Sequence, residues 1–351
     1  MNKSFWKGKR VLVTGDTGFK GSWLSLILNM YGAKVQGISS SKFNDNAGLY
    51  SCLGLNKISN TIDCDIRDFD QVRKAFHSFN PEIVFHLAAQ PLVRQSYQDP
   101  VTTYEVNVMG TMSILEAVKK SPSVKSAVMV TTDKCYKNNE WEWGYRENDP
   151  MGGHDPYSSS KACVELLTQS YQQSFFNDHT NSPGVSTVRA GNVIGGGDFS
   201  EDRLIPDLYR AISTNNKLLL RNPLATRPWQ HVFEPISGYL KVAERLFESG
   251  ARDNDCWNFG PNNSDIRTVE EITELFLVSW GIENIIDFDA SIQPHEAKSL
   301  SLDISKAQFK LHWVPQWDLE NAIEKTAIWY KAFFEDRDIL KISTEQIEEY
   351  Y

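Results

Sequence analysis

The stretch from Arg10 to Tyr31 constrains the fold more than any other. Arg10-Val11-Leu12-Val13-Thr14 is a short apolar run that ends in Gly15-Asp16-Thr17-Gly18-Phe19-Lys20-Gly21. Ser22 to Tyr31 then places Trp23, Leu24, Ile27 and Leu28 on one side of an amphipathic segment. Strand, glycine turn and helix in that order is the context of a dinucleotide site. The glycines allow a tight turn and let the backbone approach a pyrophosphate, while the helix N-terminus offers free N–H groups. Gly15, Thr17, Gly18, Phe19, Lys20 and Gly21 are therefore candidate cofactor contacts. The spacing is GxxGxxG rather than GxGxxG.

The alternation of strand and helix continues. Lys34 to Ser39, Ile58 to Cys64, Pro81 to Leu87 and Ser126 to Val130 read as strands, with a helix ending at Phe79 and another over 98–121. This order predicts an α/β fold: a doubly wound parallel sheet of the Rossmann kind with helices on both faces. Such sheets bind ligands at the carboxyl ends of their strands. Gly15, Asp65, Ala88, Thr132 and Ala190 all fall there. The small pair Ala88-Ala89 leaves room for a flat cofactor, and His86 at a strand end reads as structural. Beyond Ala190 the alternation weakens. The expected division is a dinucleotide-binding domain over 1–190, its sheet completed by a segment near 230–260. A smaller interleaved C-terminal α/β substrate domain over 191–336 and a charged tail over 337–351 follow. Helix 318–336 is expected to pack through Ala322, Ala327, Trp329 and Phe333.

An acidic residue often ends the second strand of an NAD site, holding the ribose 2′-hydroxyl. Here Ser39, Ser40 and Ser41 stand there, followed by Lys42. NAD is the expected cofactor and NADP stays open. The net charge of −9 argues against a nucleic-acid partner, whose phosphates need a basic face. The five cysteines show no CxxC spacing, so neither a metal nor a disulfide framework is expected. No leader-like apolar segment and no run of about 18 apolar residues occurs, so a cytoplasmic protein without membrane contact is the expectation.

The chemistry concentrates in Val130-Thr131-Thr132-Asp133-Lys134-Cys135-Tyr136 and in Tyr157-Ser158-Ser159-Ser160-Lys161. A Tyr and a Lys four apart at the start of a helix share one face. A phenol beside an ammonium ionises more readily. With a hydroxyl from Thr132, the trio can take the proton of an alcohol while a nicotinamide takes its hydride.

Thr14-Gly15-x-x-Gly18-Phe19-x-Gly21, Asp65-Ile66, His86-Leu87-Ala88-Ala89, Asn107, Thr132 and Tyr157/Lys161 resemble the extended short-chain dehydrogenase/reductase superfamily. Within it, Thr132-Asp133 resembles the Thr-Asp-Glu motif of nucleotide-sugar 4,6-dehydratases, with Lys134 in place of the Glu. Thr131-Thr132-Asp133-Lys134-Cys135-Tyr136, Gly153-x-Asp155-Pro156-Tyr157, Gly196-Gly197-Asp198 and Thr226-Arg227-Pro228-Trp229 look like the CDP-glucose 4,6-dehydratases. The resemblance implies that Ser39, Asp65, Ile66, Leu87, Ala88, Ala89, Asn107, Tyr157 and Lys161 serve the cofactor. It also implies that Gln90, Asn192, Arg203, Arg227, His295 and Glu296 serve a nucleotide-sugar substrate such as CDP-glucose.

In the implied reaction, Tyr157, Lys161 and Thr132 promote oxidation at C4, and Asp133 is the acid that expels the C6 hydroxyl. Lys134 is either the C5 base or a charge-balancing residue. The resemblance further implies a homodimer or homotetramer joined through helices 98–121 and 155–178. A 4-epimerase or 4-reductase of the same superfamily, or a cofactor-sensing protein without activity, are the alternatives. The first two would need no acid beside Thr132, and the last commonly lacks the Tyr/Lys pair.

Overall fold

The computed structural model describes residues 2–40, 48–220, 222–262, 265–282, 285–288 and 299–351. Seven parallel strands form its centre: β1 (Arg10–Thr14), β2 (Lys34–Ser39), β3 (Asn60–Asp63), β4 (Ile83–His86), β5 (Ser126–Val130), β6 (Gly184–Ala190) and β7 (Cys256–Phe259). Their order across the sheet is β7-β6-β5-β4-β1-β2-β3. The order reverses at β1, which pairs with β2 on one side and β4 on the other. A crevice opens there, past the carboxyl ends of the strands.

Alternate residues serve opposite faces of the sheet. Val11, Val13, Phe85, Val128 and Val188 join one apolar core, and Leu12, Val84, Ala127, Met129 and Val185 join the other. Burial on both faces explains why these strands read as continuous apolar runs.

Helix α1 (Phe19–Met30) begins three residues earlier than the apolar periodicity suggests, with Gly18 as its N-cap. The glycine turn and the helix are therefore one unit. A Cβ on Gly21 would stand 2.0 Å from the Gly15 carbonyl, so only a glycine lets the helix start this close to β1. Helix α2 (Phe69–Phe79) is capped by Asp68, whose carboxylate accepts from Gln71 N at 3.0 Å.

The single helix expected over 98–121 is instead three pieces. Pro100–Tyr104 is capped by Asp99, Glu105–Met109 makes a π turn, and α3 (Gly110–Lys119) follows. The π turn carries Asn107, whose side chain bonds two other segments. Such bulges are frequent at functional sites. Helix α4 (Pro156–Ser174) starts at Asp155, which caps it through Ser158 N at 2.9 Å, and so carries Tyr157 and Lys161 in its first turns.

Helix α5 (Phe233–Ser249) packs on the sheet, and β7 lies beside β6, so the chain returns from its substrate-side insertions to complete the sheet. The insertions include three small strand pairs: Val193–Ile194 with Gln230–His231, Thr226–Arg227 with Arg267–Thr268, and Leu218–Leu220 with Ile286–Phe288. Helix α6 (Leu319–Phe334) buries Ala322, Ala327 and Trp329, with Phe333 packed against the same core.

The last segment corrects the expectation of a charged tail. Ile339–Tyr350 is a helix, α7, with Ile339, Ser343, Gln346, Ile347 and Tyr350 buried along one face. Its charges are many but lie on the outer face. Tyr350 donates to Glu234 Oε2 at 2.7 Å, and Trp329 Nε1 donates to Ser343 Oγ at 2.9 Å. No described helix is long and apolar enough to cross a membrane.

Candidate active site

The crevice has a volume of about 1600 Å³ and two contrasting walls. One is the glycine turn. Gly15 has φ +71°, and a Cβ there would meet Ala88 N at 2.8 Å. Thr17, Gly18, Phe19, Lys20 and Gly21 line this wall, and Leu87, Ala88 and Ala89 line the floor beside it. Close-packed backbone with little side chain suits a dinucleotide pyrophosphate.

Ser39 ends β2 as expected. Its hydroxyl accepts from Thr17 Oγ1 at 2.8 Å, so two hydroxyls stand where NAD sites often have a carboxylate. The nearby Asp16 carboxylate is buried behind the turn and takes a hydrogen bond from Thr61. Asp65 and Ile66 also line the crevice. Both Asp65 oxygens are engaged by Arg67, with Nη2 at 2.7 Å from Oδ2.

Two predicted contacts are held in structural hydrogen bonds. Asn107 is 1% exposed and does not line the crevice. Its carboxamide accepts from Gln90 N at 2.8 Å and donates to Ser160 Oγ at 2.8 Å, tying the β4 loop to α4. Gln90 reaches the crevice, but its side chain bonds Leu92 and Thr103. His86 is sealed between Thr14 and Thr111 hydroxyls at 2.7 and 2.9 Å, and burial holds it down at about 3. It is a neutral structural group, as the sequence suggested.

The opposite wall carries the ionisable groups. Thr132, Asp133, Lys134, Tyr157 and Lys161 come together at the end of β5 and the start of α4. Asp133 is 1% exposed, and burial pushes its carboxyl up against the pull of Lys134. One oxygen accepts from Thr132 Oγ1 at 3.0 Å, while Oδ2 has no hydrogen-bond partner among the described residues. Tyr157 is buried and pushed up to about 12 by desolvation, opposed by a hydrogen bond with Thr132 and by the charge of Arg203.

Lys161 donates to the Val130 carbonyl at 3.2 Å, and burial pulls it down to about 8 despite the carboxylate of Glu165 one turn away. The charge of Arg203 thus also bears on Tyr157, beside the Lys161 that the spacing pointed to. Lys161 is turned toward the strand backbone.

Arg203 enters from the substrate side and pairs with Asp198 at 3.0 Å. Arg227 and Asn192 line the same region, and Arg227 lies close enough to Asp133 to favour its charged form. Lys20, on the glycine-turn side, is sunk near Arg203, Asp133 and Lys161, and burial lowers it to about 8. His295 and Glu296 lie outside the described residues. Among those described, no group of three or more His, Cys, Asp or Glu side chains could hold a metal ion. Asp198, quoted in the sequence only as part of its glycine motif, lines the crevice and holds Arg203, and the ion pair of Glu165 with Arg189, set behind the crevice lining, was not anticipated from the sequence.

The sequence profile of the GDP-mannose 4,6 dehydratase family matches residues 12–326. The chain belongs to that family. This GDP-mannose 4,6 dehydratase family member is 48% identical over 353 residues to a CDP-glucose 4,6-dehydratase of Salmonella typhimurium, covering all of this chain and 98% of that one. It is 28% identical to a human dTDP-D-glucose 4,6-dehydratase, covering 93% of this chain and 91% of that one. Solved structures share the family member's fold. A dTDP-glucose 4,6-dehydratase of Streptomyces venezuelae, solved with NAD bound, superposes with a TM-score of 0.80 at 24% identity, over 94% of this chain and 99% of that one. An epimerase of Methanothermobacter thermautotrophicus gives 0.82 at 22%, over 95% of each chain.

Proposed function

We propose that the protein is an NAD-dependent lyase that converts CDP-glucose to CDP-4-dehydro-6-deoxyglucose and water. The observation that carries this reading is the buried Asp133 carboxyl, with one unpartnered oxygen, beside the Thr132–Tyr157 pair. A 4-epimerase needs the phenol and the threonine but has no leaving hydroxyl for a protonated acid to serve. The full-length similarity to a CDP-glucose 4,6-dehydratase supports the choice of substrate.

The glycine cradle fits a dinucleotide, because Gly15 and Gly21 leave no room for side chains against their neighbours. Bound there, NAD supplies a hydride acceptor for C4 and the donor that later reduces C6. The Thr17 and Ser39 hydroxyls would meet the adenosine ribose, and NAD is the cofactor we assign.

Tyr157, with Thr132 orienting the sugar oxygen, takes the C4 hydroxyl proton. Arg203 lowers the cost of the phenolate, and Lys161 holds its charge against the β5 carbonyl. Once C4 is a ketone, the C5 proton is acidic. Lys134 stands where the family pattern has a carboxylate base, and we assign it the C5 proton, which it accepts as the neutral amine to become the ammonium. Asp133, kept protonated by burial, donates to the C6 hydroxyl as it leaves as water. The hydride removed from C4 would return to C6 while the Lys134 ammonium gives its proton back to C5, so no net oxidation results.

Arg203, Arg227 and Asn192 would hold the nucleotide diphosphate, for which the planar guanidinium fork is suited. The enzyme would act in the cytoplasm, supplying deoxysugar precursors such as those of O-antigen. Tyr97, Val101, Tyr104, Met109 and Leu166 are exposed on 93–109 and α4, an apolar face that fits pairing of two copies into a homodimer, or into a homotetramer built from it.

The test is incubation with CDP-, dTDP-, UDP- and GDP-glucose, each with NAD or NADP, following loss of water by mass spectrometry. Turnover of CDP-glucose with NAD is expected. Activity on dTDP-glucose alone would overturn the base assignment, and C4 inversion without water loss would favour an epimerase.

A further inference from the structure

Behind the reacting turn, out of contact with the crevice, lies a fully buried ion pair. Glu165 stands one helical turn beyond Lys161 on α4 and is 5% exposed. Arg189, on β6, is 3% exposed. Their pairing is bidentate, with Nε to Oε1 at 2.9 Å and Nη2 to Oε2 at 2.8 Å. Thr131 Oγ1 also donates to Oε1, and Thr187 Oγ1 donates to Oε2 at 2.6 Å. The remaining Arg189 nitrogen donates to the Tyr136 hydroxyl at 2.5 Å and the Glu147 carbonyl at 3.0 Å. Tyr136 passes the network on to Asn258 Oδ1 at 2.7 Å, and Asn258 donates to the Tyr145 and Asp303 carbonyls.

Thr131 and Tyr136 are the two ends of the turn that carries Thr132, Asp133 and Lys134. The pair therefore grips that turn from behind at both ends and fastens it to the helix bearing Tyr157 and Lys161. A buried ion pair seldom adds net stability over apolar residues of similar size, because desolvation offsets the attraction. Its bidentate hydrogen bonds do fix direction. We propose that Glu165 and Arg189 are positioning residues for the reacting turn, holding Thr132 and Asp133 against Tyr157 and placing a fixed negative charge beside Lys161.

The groups facing this pair are Cys135, Cys256, Tyr136 and Glu147, and those facing Lys161 are Glu165, Cys135, Lys20 and His86. Of these, only Glu165 is a carboxylate bearing on Lys161. Removing it makes the ammonium harder to keep, so the alkaline limb of turnover that reports Lys161 moves to lower pH. The kinetic part of this proposal rests on the dehydratase reading.

The experiment compares the full-length protein with Glu165→Met/Arg189→Met, which removes both charges, and with Glu165→Gln, which keeps the shape. The double variant is expected to melt within a few degrees of the parent and to keep KM for CDP-glucose within about threefold. Its turnover should fall about 10- to 100-fold, with the alkaline limb displaced toward acid. Glu165→Gln should show the same displacement and stands alone if the double variant does not fold. Parental turnover and pH profile in either variant would overturn the proposal. A readout independent of the reaction is the pH midpoint for carbamylation of Lys161 by cyanate, followed by peptide mass spectrometry. It should shift toward acid in both variants, and an unshifted midpoint also overturns the proposal. A parent protein inactive on every nucleotide sugar, with the Lys161 midpoint still shifted in the variants, would sink the dehydratase reading alone.

Discussion

Two buried carboxyls show how the same burial serves different ends. Asp133 follows β5 and Glu234 opens α5, and burial pushes both upward. Glu234 is fully surrounded by donors: Gln316 N, Trp317 N at 2.8 Å and the Tyr350 hydroxyl. It pins the last helix and the 316–317 turn to the scaffold. Asp133 has one oxygen satisfied by Thr132 and one without a partner, beside Gly191, where a Cβ would come to 3.1 Å. A desolvated carboxyl whose bonds are all made is a clamp. One left with an unpartnered oxygen in the wall of a ligand-sized crevice is a candidate for chemistry.

That contrast can be broken most decisively beside Asp133. Tyr157→Phe removes the group proposed to take the C4 proton, and turnover should fall by at least about a thousandfold with no reduced nicotinamide formed in a single turnover. Near-normal reduction would take Tyr157 out of the mechanism.

Asp133→Asn should lower overall turnover by about 100- to 1000-fold in a different way. C4 oxidation survives, so nicotinamide absorbance rises and stays high, and a 6-fluoro substrate restores elimination because fluoride needs little protonation. The sign of the pH effect follows from the raised carboxyl. Water loss in the parent is supported while Asp133 is protonated and declines as pH rises through its elevated range. The Asn variant should lack that limb.

Lys134→Ala sharpens the same region, with an expected loss of about 10- to 100-fold. Solvent deuterium should no longer enter C5, even with the 6-fluoro sugar. Ordinary elimination from that substrate would assign the C5 proton elsewhere.

The smallest kinetic effect belongs to the clamp. Glu234→Gln should leave turnover within about twofold of the parent while changing the pH dependence of melting. The Glu234 carboxyl is raised from 4.5 to about 7. Its stabilising contribution is therefore complete below the unfolded value and is lost as pH rises through about 7. That loss is of order 3 kcal/mol, a drop of several degrees in the parent. The Gln variant should melt with a flatter profile between pH 5 and 8, and identical profiles would show that Glu234 does not ionise over this range.

Much of the fold was legible because it depends on local rules. Arg10–Thr14, Lys34–Ser39 and Ser126–Val130 are strands with the expected bounds, since apolar runs between turn signals have little else to become. The expected helix over 98–121 hid a π turn, because its apolar pattern does not reveal that Asn107 must reach Gln90 and Ser160. The last 15 residues read as a tail because their charge count masked a buried stripe that only α6 and Glu234 could reveal.

By itself, the sequence determined the sheet, the glycine turn and the identity of the groups at the strand ends, because strand periodicity and glycine stereochemistry act over a few residues. Tertiary structure alone decided what those groups face. Lys161 donates to the β5 carbonyl, while the charge of Arg203, some forty residues on, bears on the Tyr157 phenol. Asn107 leaves the crevice wall to brace it, and Glu165 meets Arg189 beneath the reacting turn. Charge pairing and desolvation depend on distance through space, and spacing along the chain does not carry that information.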